Sequence, residues 1–391
     1  MTAKKSKNIV LTSVKIFVGA LFIFSGLIKL NDPLGFSYKL EEYFEVFHLT
    51  FLVPSAVFFS ITLCALEVML GLFLLTGYYV KKVIWGLLLL IIFFTFLTFY
   101  SAFFDVVKTC GCFGDAIPLT PWQSFSKDLV LLVMIVFLFL NKEKLVNTSE
   151  NRGLRRIWSL IIIALPIFFG LYTYTFLPII DFLPYKVGVN IPEAMKVPEN
   201  APQDEYEINY SLENRKTGEK KEMSDKEYLA TKIYENPDWE IKQSSEPVVI
   251  KRGFRPKIEG LNVYDSQGVN YTTEIFENPY YNLIAVAWNL DNAQEKALGD
   301  INALAINAVQ NFNVRSVLLT SASAQDASKL SKKLTLLTEI FYADAVPLKS
   351  MVRSNPGLML LKDGVIVNKW PASALPSYNY LAEHYFSKIN D

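Results

Sequence analysis

The sequence has little cysteine or histidine, and its charges are balanced. Three cysteines (Cys64, Cys110 and Cys112) and two histidines occur in 391 residues, so no four-ligand zinc site forms without joining distant parts of the chain. The 38 basic and 38 acidic residues give a net charge of zero, and every basic run is short. The positive surface that a phosphate backbone requires is missing. We therefore expect neither a metal centre nor a nucleic-acid partner.

Apolar residues are abundant instead, since 51% of the chain is hydrophobic and 14% aromatic, which is high for a soluble protein. Before residue 185 the chain carries only 15 basic and 11 acidic residues. Five apolar runs in this part are long enough to cross a lipid bilayer, at about residues 9–30, 51–77, 83–104, 124–141 and 157–178. We expect the first run to be an anchor rather than a cleaved signal peptide, because no small-residue cleavage site follows it.

The lysine and arginine positions predict how these helices are oriented. Ten of these residues lie in the N-terminal tail and in the connections after the second and fourth runs, against three in the other connections: Lys39, Lys108 and Lys127. Because basic loops stay in the cytoplasm, we expect an inner-membrane protein with a cytoplasmic N-terminus and a periplasmic C-terminal domain. Cys110 and Cys112 then face the oxidising side, where disulfides persist.

Beyond residue 185 the pattern changes to short strands and helices. A proline-rich linker comes first, and an α+β insert follows in which Ser224 and Glu227 fit a capping box at a helix start. From residue 256 onwards the pattern is α/β, with a hairpin at 257–276 and a buried strand at 283–288. The remaining predicted elements are a helix at 292–311, a strand at 314–320, a helix at 324–337, strands at 357–362 and 365–370, and a terminal helix.

Two motifs in residues 256–391 resemble thioredoxin-like domains. Asn355-Pro356, directly before GLMLLKDG, is similar to the cis-proline of that fold. Trp288 ends the first buried strand where the family carries Trp-Cys-x-x-Cys, but Asn289 and Asn292 stand at the two cysteine positions. Because an amide cannot replace a thiolate in thiol-disulfide exchange, we expect this domain to bind or scaffold rather than to catalyse.

The leading candidate for chemistry is Cys110-Gly111-Cys112, between the third and fourth apolar runs. Two thiols separated by one glycine can close a small disulfide ring, and ring strain makes a disulfide more oxidising. Glycine permits the backbone angles that such a ring needs. A structural bridge and an inert reduced pair are the alternatives that the spacing leaves open.

Four segments of the membrane half resemble the DoxX-like and methylamine-utilisation MauE families of four-helix membrane proteins. They are SGLIKLNDPLGF at 25–36, EVMLG at 67–71, CGCFG at 110–114 and KDL at 127–129. The resemblance implies membrane redox work: MauE members are linked to disulfide formation in a secreted enzyme, and DoxX members to electron transfer with quinone. The fifth helix departs from the family pattern and is expected to carry the C-terminal domain across the membrane.

Two acidic residues are further candidates. Glu67 lies well inside the second run, where an ionisable group is costly and functional by default, and we expect it either to pair with Lys15 or to relay protons for quinone chemistry. Asp128 and Lys127 begin the fourth run, where the helix dipole explains an acid; Asp128 could also exchange a proton with a nearby thiol. Cys64, on the face of Glu67, is expected to be a buried apolar residue rather than a redox partner.

The sequence thus predicts an α-helical membrane bundle followed by a soluble α/β thioredoxin-like domain. Its expected parts are a four-helix DoxX/MauE-like domain (1–145), a fifth transmembrane helix (146–184), a linker with the insert (185–255) and the thioredoxin-like domain (256–391).

The expected function is redox chemistry without a covalently bound cofactor. Cys110 and Cys112 cycle between dithiol and disulfide and pass electrons from an extracytoplasmic thiol protein to a membrane quinone. One alternative is a non-enzymatic scaffold or assembly subunit. Another is a quinone-coupled subunit that acts on a small sulfur compound.

Asp32 and Asp115, which are carboxylates in predicted loops, rank below the other candidate site residues.

Overall fold

The structure, a computed structural model, describes residues 9–107, 111, 113–145 and 152–387. Contacts within the chain divide it into two compact units. The larger unit consists of Met1–Asn190 and Gly260–Asp391, and the smaller one is Ile191–Glu259. The larger unit contains a helical membrane domain and an α/β domain.

The described part of the membrane domain is built mainly from helices. They are α1 (Ile9–Asn31), α2 (Pro33–Val46), α3 (Ala56–Thr76), α4 (Val80–Phe104), α5 (Pro121–Leu140) and α6 (Arg152–Phe176). Within the described residues, five of them are long and apolar enough to cross a membrane, α2 being the exception. The predicted multi-pass membrane part is therefore confirmed.

Helix α2 is not predicted by the hydrophobic pattern, which assigns Asn31-Asp32-Pro33 only to the end of α1. Pro33 cannot continue α1, but its fixed φ suits the first position of a new helix. The Asp32 carboxylate caps this helix by accepting a hydrogen bond from the Gly35 amide at 2.9 Å. The end of α1, the end of α4 and the start of α5 lie on one side of the bundle, and we call this side the loop end.

Small residues let α1 and α3 approach each other closely. A Cβ atom on Gly71 would lie 2.7 Å from the Gly19 carbonyl oxygen, and one on Gly26 would lie 3.1 Å from the Glu67 Cβ. Helices in lipid associate through such close contacts, because the hydrophobic effect does not drive them together. The contact at Gly26 brings Lys29, one turn further along α1, beside Glu67.

Residues 191–259 fold as a separate unit. The elements are α7 (Ile191–Met195), β1 (Glu205–Glu207), β2 (Asn209–Asn214), β3 (Lys220–Ser224), α8 (Asp225–Thr231), β4 (Trp239–Ser244) and β5 (Val248–Lys251). The strands form an antiparallel sheet in the order β3-β2-β4 and a ribbon of β1 with β5. Ser224 accepts a hydrogen bond from the Glu227 amide at the start of α8, as the capping motif predicts.

The α/β domain contains a mixed five-stranded sheet. Its elements are α9 (Thr272–Phe276), β6 (Tyr281–Val286), α10 (Glu295–Phe312), β7 (Arg315–Thr320), α11 (Ala324–Leu334), β8 (Glu339–Tyr342), α12 (Ala345–Met351), β9 (Gly357–Lys362), β10 (Val365–Pro371) and α13 (Tyr378–Leu381). The strand order is β10-β9-β6-β7-β8. Strands β6, β7 and β8 run parallel, and β9 and β10 are antiparallel. All of β6 is buried, as a central strand covered on both faces should be.

Three details of the α/β prediction are corrected. The hairpin expected at 257–276 reduces to one bridge between Tyr264 and Asn270, and its second half forms α9. The Thr272 hydroxyl accepts the hydrogen bond of the Val263 amide at 2.8 Å, where a second strand would have supplied a carbonyl. Strand β8 and helix α12 are too short to show a periodic pattern and are missed.

Candidate functional site

A buried pocket inside the bundle contains both of the predicted acidic residues. Its lining includes Lys29, Glu67, Phe94, Phe113, Lys127 and Asp128. Glu67 is 2% exposed and Asp128 is 1% exposed. Ionisable groups at such depth in a membrane protein are costly unless they are paired, and they commonly mark functional sites. This pocket is therefore the candidate site.

Glu67 forms an ion pair with Lys29, and both side chains are buried. The Lys29 ammonium also lies 4.7 Å from the centroid of the Phe94 ring, a distance at which a cation is attracted to the ring face. The prediction that Lys15 pairs with Glu67 is therefore wrong. Depth along an isolated helix does not show which side chains meet, whereas the close approach at Gly26 places the other end of α1 beside Glu67.

Asp128 lies two turns inside α5 rather than in its first turn. The helix begins at Pro121 and is capped by Thr120, so its N-terminus is satisfied without Asp128. Because the dipole effect is confined to the first turn, the dipole explanation of Asp128 is wrong. Its Oδ1 pairs with the Lys127 ammonium at 2.8 Å, and its Oδ2 accepts a hydrogen bond from the Thr98 hydroxyl at 3.1 Å.

Cys110 and Cys112 lie outside the described residues, so their redox role stays a prediction. Two of their chain neighbours, Gly111 and Phe113, are described. Gly111 has φ +65°, in the region that favours glycine. Phe113 lines the buried pocket, and the Lys127 ammonium lies 5.1 Å from the centroid of its ring. The residue that directly follows Cys112 thus contacts the candidate site.

A second cavity, the loop-end cavity, lies beside the buried pocket and shares Lys29 with it. Asp32, Asp115 and Ser124 also line it. Ser124 is 1% exposed, and its hydroxyl has no hydrogen-bond partner among the described residues. A buried polar atom without a partner costs free energy and calls for a bound water or ligand. Because Ser124 precedes Asp128 by one turn of α5, polar side chains lead from this cavity towards the pocket.

Asn289 and Asn292, which stand where the sequence predicts the cysteine positions of a thioredoxin-like domain, are held by hydrogen bonds. The Asn355–Pro356 peptide is cis, as predicted. The Asn355 side chain donates to the Asn289 carbonyl oxygen at 2.6 Å, and the Asn289 side chain accepts a hydrogen bond from the Asn292 amide at 3.1 Å. These side chains order the loop after β6, but amides supply no thiol chemistry.

Two residues of this region are absent from the sequence prediction. Lys29 lies in the segment SGLIKLNDPLGF, and a lone charge at the end of an apolar run was the available signal. Arg353 forms ion pairs with Asp32 at 2.8 Å and with Asp115 at 3.2 Å. No local pattern reveals this contact, because Arg353 lies 321 residues along the chain from Asp32.

Comparisons with known proteins bear on the helical part. The family model described as "Methylamine utilisation protein MauE" matches residues 7–141. The chain is 31% identical over 144 residues to Protein TlpB of Flavobacterium psychrophilum, a match that covers 36% of this chain and 38% of that protein. The chain therefore matches well under half the length of this curated relative. No solved structure shows a significant match.

Proposed function

We propose that this protein, whose residues 7–141 form a MauE-like membrane domain, oxidises thiols of an extracytoplasmic protein and passes the electrons to a membrane quinone. Cys110 and Cys112 are the proposed reacting pair. The observation that carries the proposal is the buried pocket, where Glu67 and Asp128 lie with Phe113, the residue after Cys112. Thiol oxidation releases protons, and carboxylates held out of water are suited to take them up.

The proposed reaction balances in two steps. First, a client dithiol is oxidised: a disulfide forms in the client, the Cys110–Cys112 disulfide breaks, and this pair receives two electrons and two protons. Next, the Cys110–Cys112 disulfide forms again, and the pair gives up two electrons and two protons. A quinone, when bound, would supply the acceptor for these two electrons and two protons.

The side chains that line the buried pocket have the chemistry that such an acceptor would need. The Phe94 and Phe113 rings offer apolar faces on which a flat ring can pack, and the Lys127 ammonium can donate a hydrogen bond to an oxygen. Asp128, which accepts a hydrogen bond from the Thr98 hydroxyl, is the proposed proton acceptor next to these groups. Ser124 extends the polar lining towards the loop end.

The redox state of Cys110 and Cys112 tests this function. Cells are quenched with acid, and free thiols are labelled with a reagent that adds mass, in a Cys64→Ser background so that only this pair is counted. We expect a mixture of reduced and oxidised pairs, which shifts towards the reduced form when quinone reoxidation is blocked. A pair that stays in one redox state under every respiratory condition would overturn the proposal and favour the scaffold function.

Client capture gives a complementary result. In a Cys112→Ala variant the Cys110 thiol can still attack the disulfide of an oxidised client, which forms a mixed disulfide and releases one client thiol. Because Cys112 is not there to resolve this mixed disulfide, it should accumulate. Non-reducing electrophoresis and mass spectrometry would identify the attached protein. The matched Cys110→Ala, Cys112→Ala variant should capture nothing. Equal capture by both variants would show that the attachment does not involve Cys110.

The orientation that this reaction needs is itself a prediction. A topology reporter fused after Asp391 should be active only outside the cytoplasm, because ten lysine and arginine residues lie in the segments assigned to the cytoplasm and three in the others. The comparison is the same reporter fused after Thr76, at the end of α3, where cytoplasmic activity is expected. The reverse pattern would place Cys110 and Cys112 on the reducing side and contradict the proposed function.

A further inference from the structure

Arg353 joins the α/β domain to the membrane domain at two carboxylates. It lies just before the cis peptide of the α/β domain and is 6% exposed. Its Nε donates to Asp32 Oδ2 at 2.8 Å, its Nη2 donates to Asp115 Oδ2 at 3.2 Å, and its Nη1 donates to the Lys349 carbonyl oxygen at 2.7 Å. Every nitrogen of the guanidinium therefore has a partner, and two of the three partners belong to the membrane domain.

The guanidinium remains charged in this position. Burial by itself lowers the pKa of Arg353, but the negative charge of Asp32, with smaller effects of Tyr38 and Asp115, outweighs burial and raises the pKa. A buried charge is strongly unfavourable once its partners are removed. The planar fork of arginine can also serve two carboxylates in a way that the lysine ammonium cannot. Arg353 therefore depends on Asp32 and Asp115 as its charged partners.

The two acids come from separate segments of the membrane domain. Asp32 lies between α1 and α2 and caps α2. Asp115 lies in the connection between α4 and α5, three residues after Cys112. One side chain of the α/β domain therefore holds the start of α2 and the connection that carries the proposed reacting pair.

Aromatic contacts show which surface of the α/β domain faces the membrane domain. Trp288, after β6, packs edge-to-face against Tyr38 of α2, with 5.9 Å between ring centroids. The Lys349 ammonium lies 4.2 Å from the centroid of the Tyr38 ring and 4.7 Å from that of Trp288, and its distance to the Glu41 carboxylate is 3.9 Å. This surface includes Trp288, next to the positions where a thioredoxin-like domain carries its thiols.

We propose that the partner of this surface is the membrane domain of the same chain, and that Arg353 is a positioning residue for the thiol reaction. By holding Asp115, it ties the connection that follows Cys112 to the start of α2. The docking rests on the ion pairs alone, whereas its effect on the thiols rests on the proposed function. A domain without thiols then contributes to the reaction without touching the reacting atoms.

Hydrogen exchange of the full-length protein in detergent tests the docking. In Arg353→Met we expect faster exchange over residues 33–46 and 113–120, while exchange in β6 and β7 is unchanged and shows that the α/β domain is folded. Arg315→Met is the matched control, because Arg315 also pairs with two acids, Glu274 and Glu339, but within the α/β domain. Unchanged exchange over both segments in Arg353→Met would overturn the docking role.

The alkylation rate of reduced Cys110 and Cys112 tests the positioning role. Arg353→Met and Asp115→Asn should each raise it about tenfold, a coupling of the size found between contacting residues. The double variant should show no further increase, because both changes remove the same ion pair, and Arg353→Lys should recover part of the slow rate. Additive effects of the two single changes would refute action through Asp115.

The two proposals fail in different ways. Cysteines that never change redox state in cells would refute the thiol chemistry, whereas the exchange rates of residues 33–46 and 113–120 would still decide whether Arg353 docks the α/β domain. Asp32→Asn with Asp115→Asn removes the same contacts from the membrane side. Unchanged exchange rates in that variant, like unchanged rates in Arg353→Met, would refute the docking proposal whatever the cysteines do.

Discussion

Replacement of Lys29 by alanine is expected to lower the free energy of unfolding by about 3–5 kcal/mol, because it leaves the Glu67 charge buried without its partner. Glu67 is 2% exposed, so water cannot compensate for the lost ammonium. The unfolding of the detergent-solubilised protein, together with its abundance in membranes, measures this loss. The free energy of unfolding of a typical domain is only about 5–15 kcal/mol, so the variant should accumulate poorly.

Two companion variants define the cause. Lys15→Ala should change the unfolding free energy by no more than about 0.5 kcal/mol, because Lys15 is not the partner of Glu67 and is only half-buried, so no buried charge loses its partner. Lys29→Leu combined with Glu67→Leu should regain most of the stability, since an apolar pair often replaces a buried ion pair at little cost. Similar losses in Lys15→Ala and Lys29→Ala would contradict the pairing.

The double leucine variant also separates structure from proton transfer. If Glu67 only fixes the contact of α1 with α3, the folded double variant should reoxidise Cys110 and Cys112 at the original rate. If Glu67 relays protons, reoxidation should be slow although the protein is folded. The time course of thiol labelling after a pulse of reductant distinguishes the two roles.

Substitution of Asp128 by asparagine is expected to slow the reoxidation of Cys110 and Cys112 about 100-fold, the lower end of what a positioned acid or base contributes. Asparagine has nearly the same shape and can still accept the Thr98 hydrogen bond, but it cannot take up a proton. Lys127, which loses its charged partner, is 22% exposed and can be solvated, so the folded fraction should change little. Labelling of free thiols at intervals after a reductant pulse gives the rate.

Asp105→Asn is the matched control for this change, because Asp105 is an exposed acid at the end of α4. Its variant should reoxidise the pair at the original rate. A normal rate in Asp128→Asn, with the protein folded and the cysteines cycling, would remove Asp128 from the proton path. Ser124→Ala is expected to have a smaller effect, since a hydroxyl can pass a proton but does not store one.

The parts of this protein that the sequence determined are those that depend on neighbouring residues. The apolar runs are long enough to span a bilayer, and those five helices form. The Ser224 cap and most of the strand and helix order of the α/β domain were predictable in the same way, because caps and periodic patterns act over a few residues. The cis peptide at Pro356 was recognised from the motif around it.

Tertiary structure alone decided which charges meet. Lys29 rather than Lys15 pairs with Glu67, because close packing at Gly26 determines which level of α1 faces α3. Asp128 lies inside the bundle rather than at a helix end, because Thr120 starts α5 earlier than the apolar run suggests. The contact of Arg353 with Asp32 and Asp115 joins three distant segments. A residue pattern reports burial and local conformation, whereas the partner of a buried charge depends on the packing of whole helices and domains.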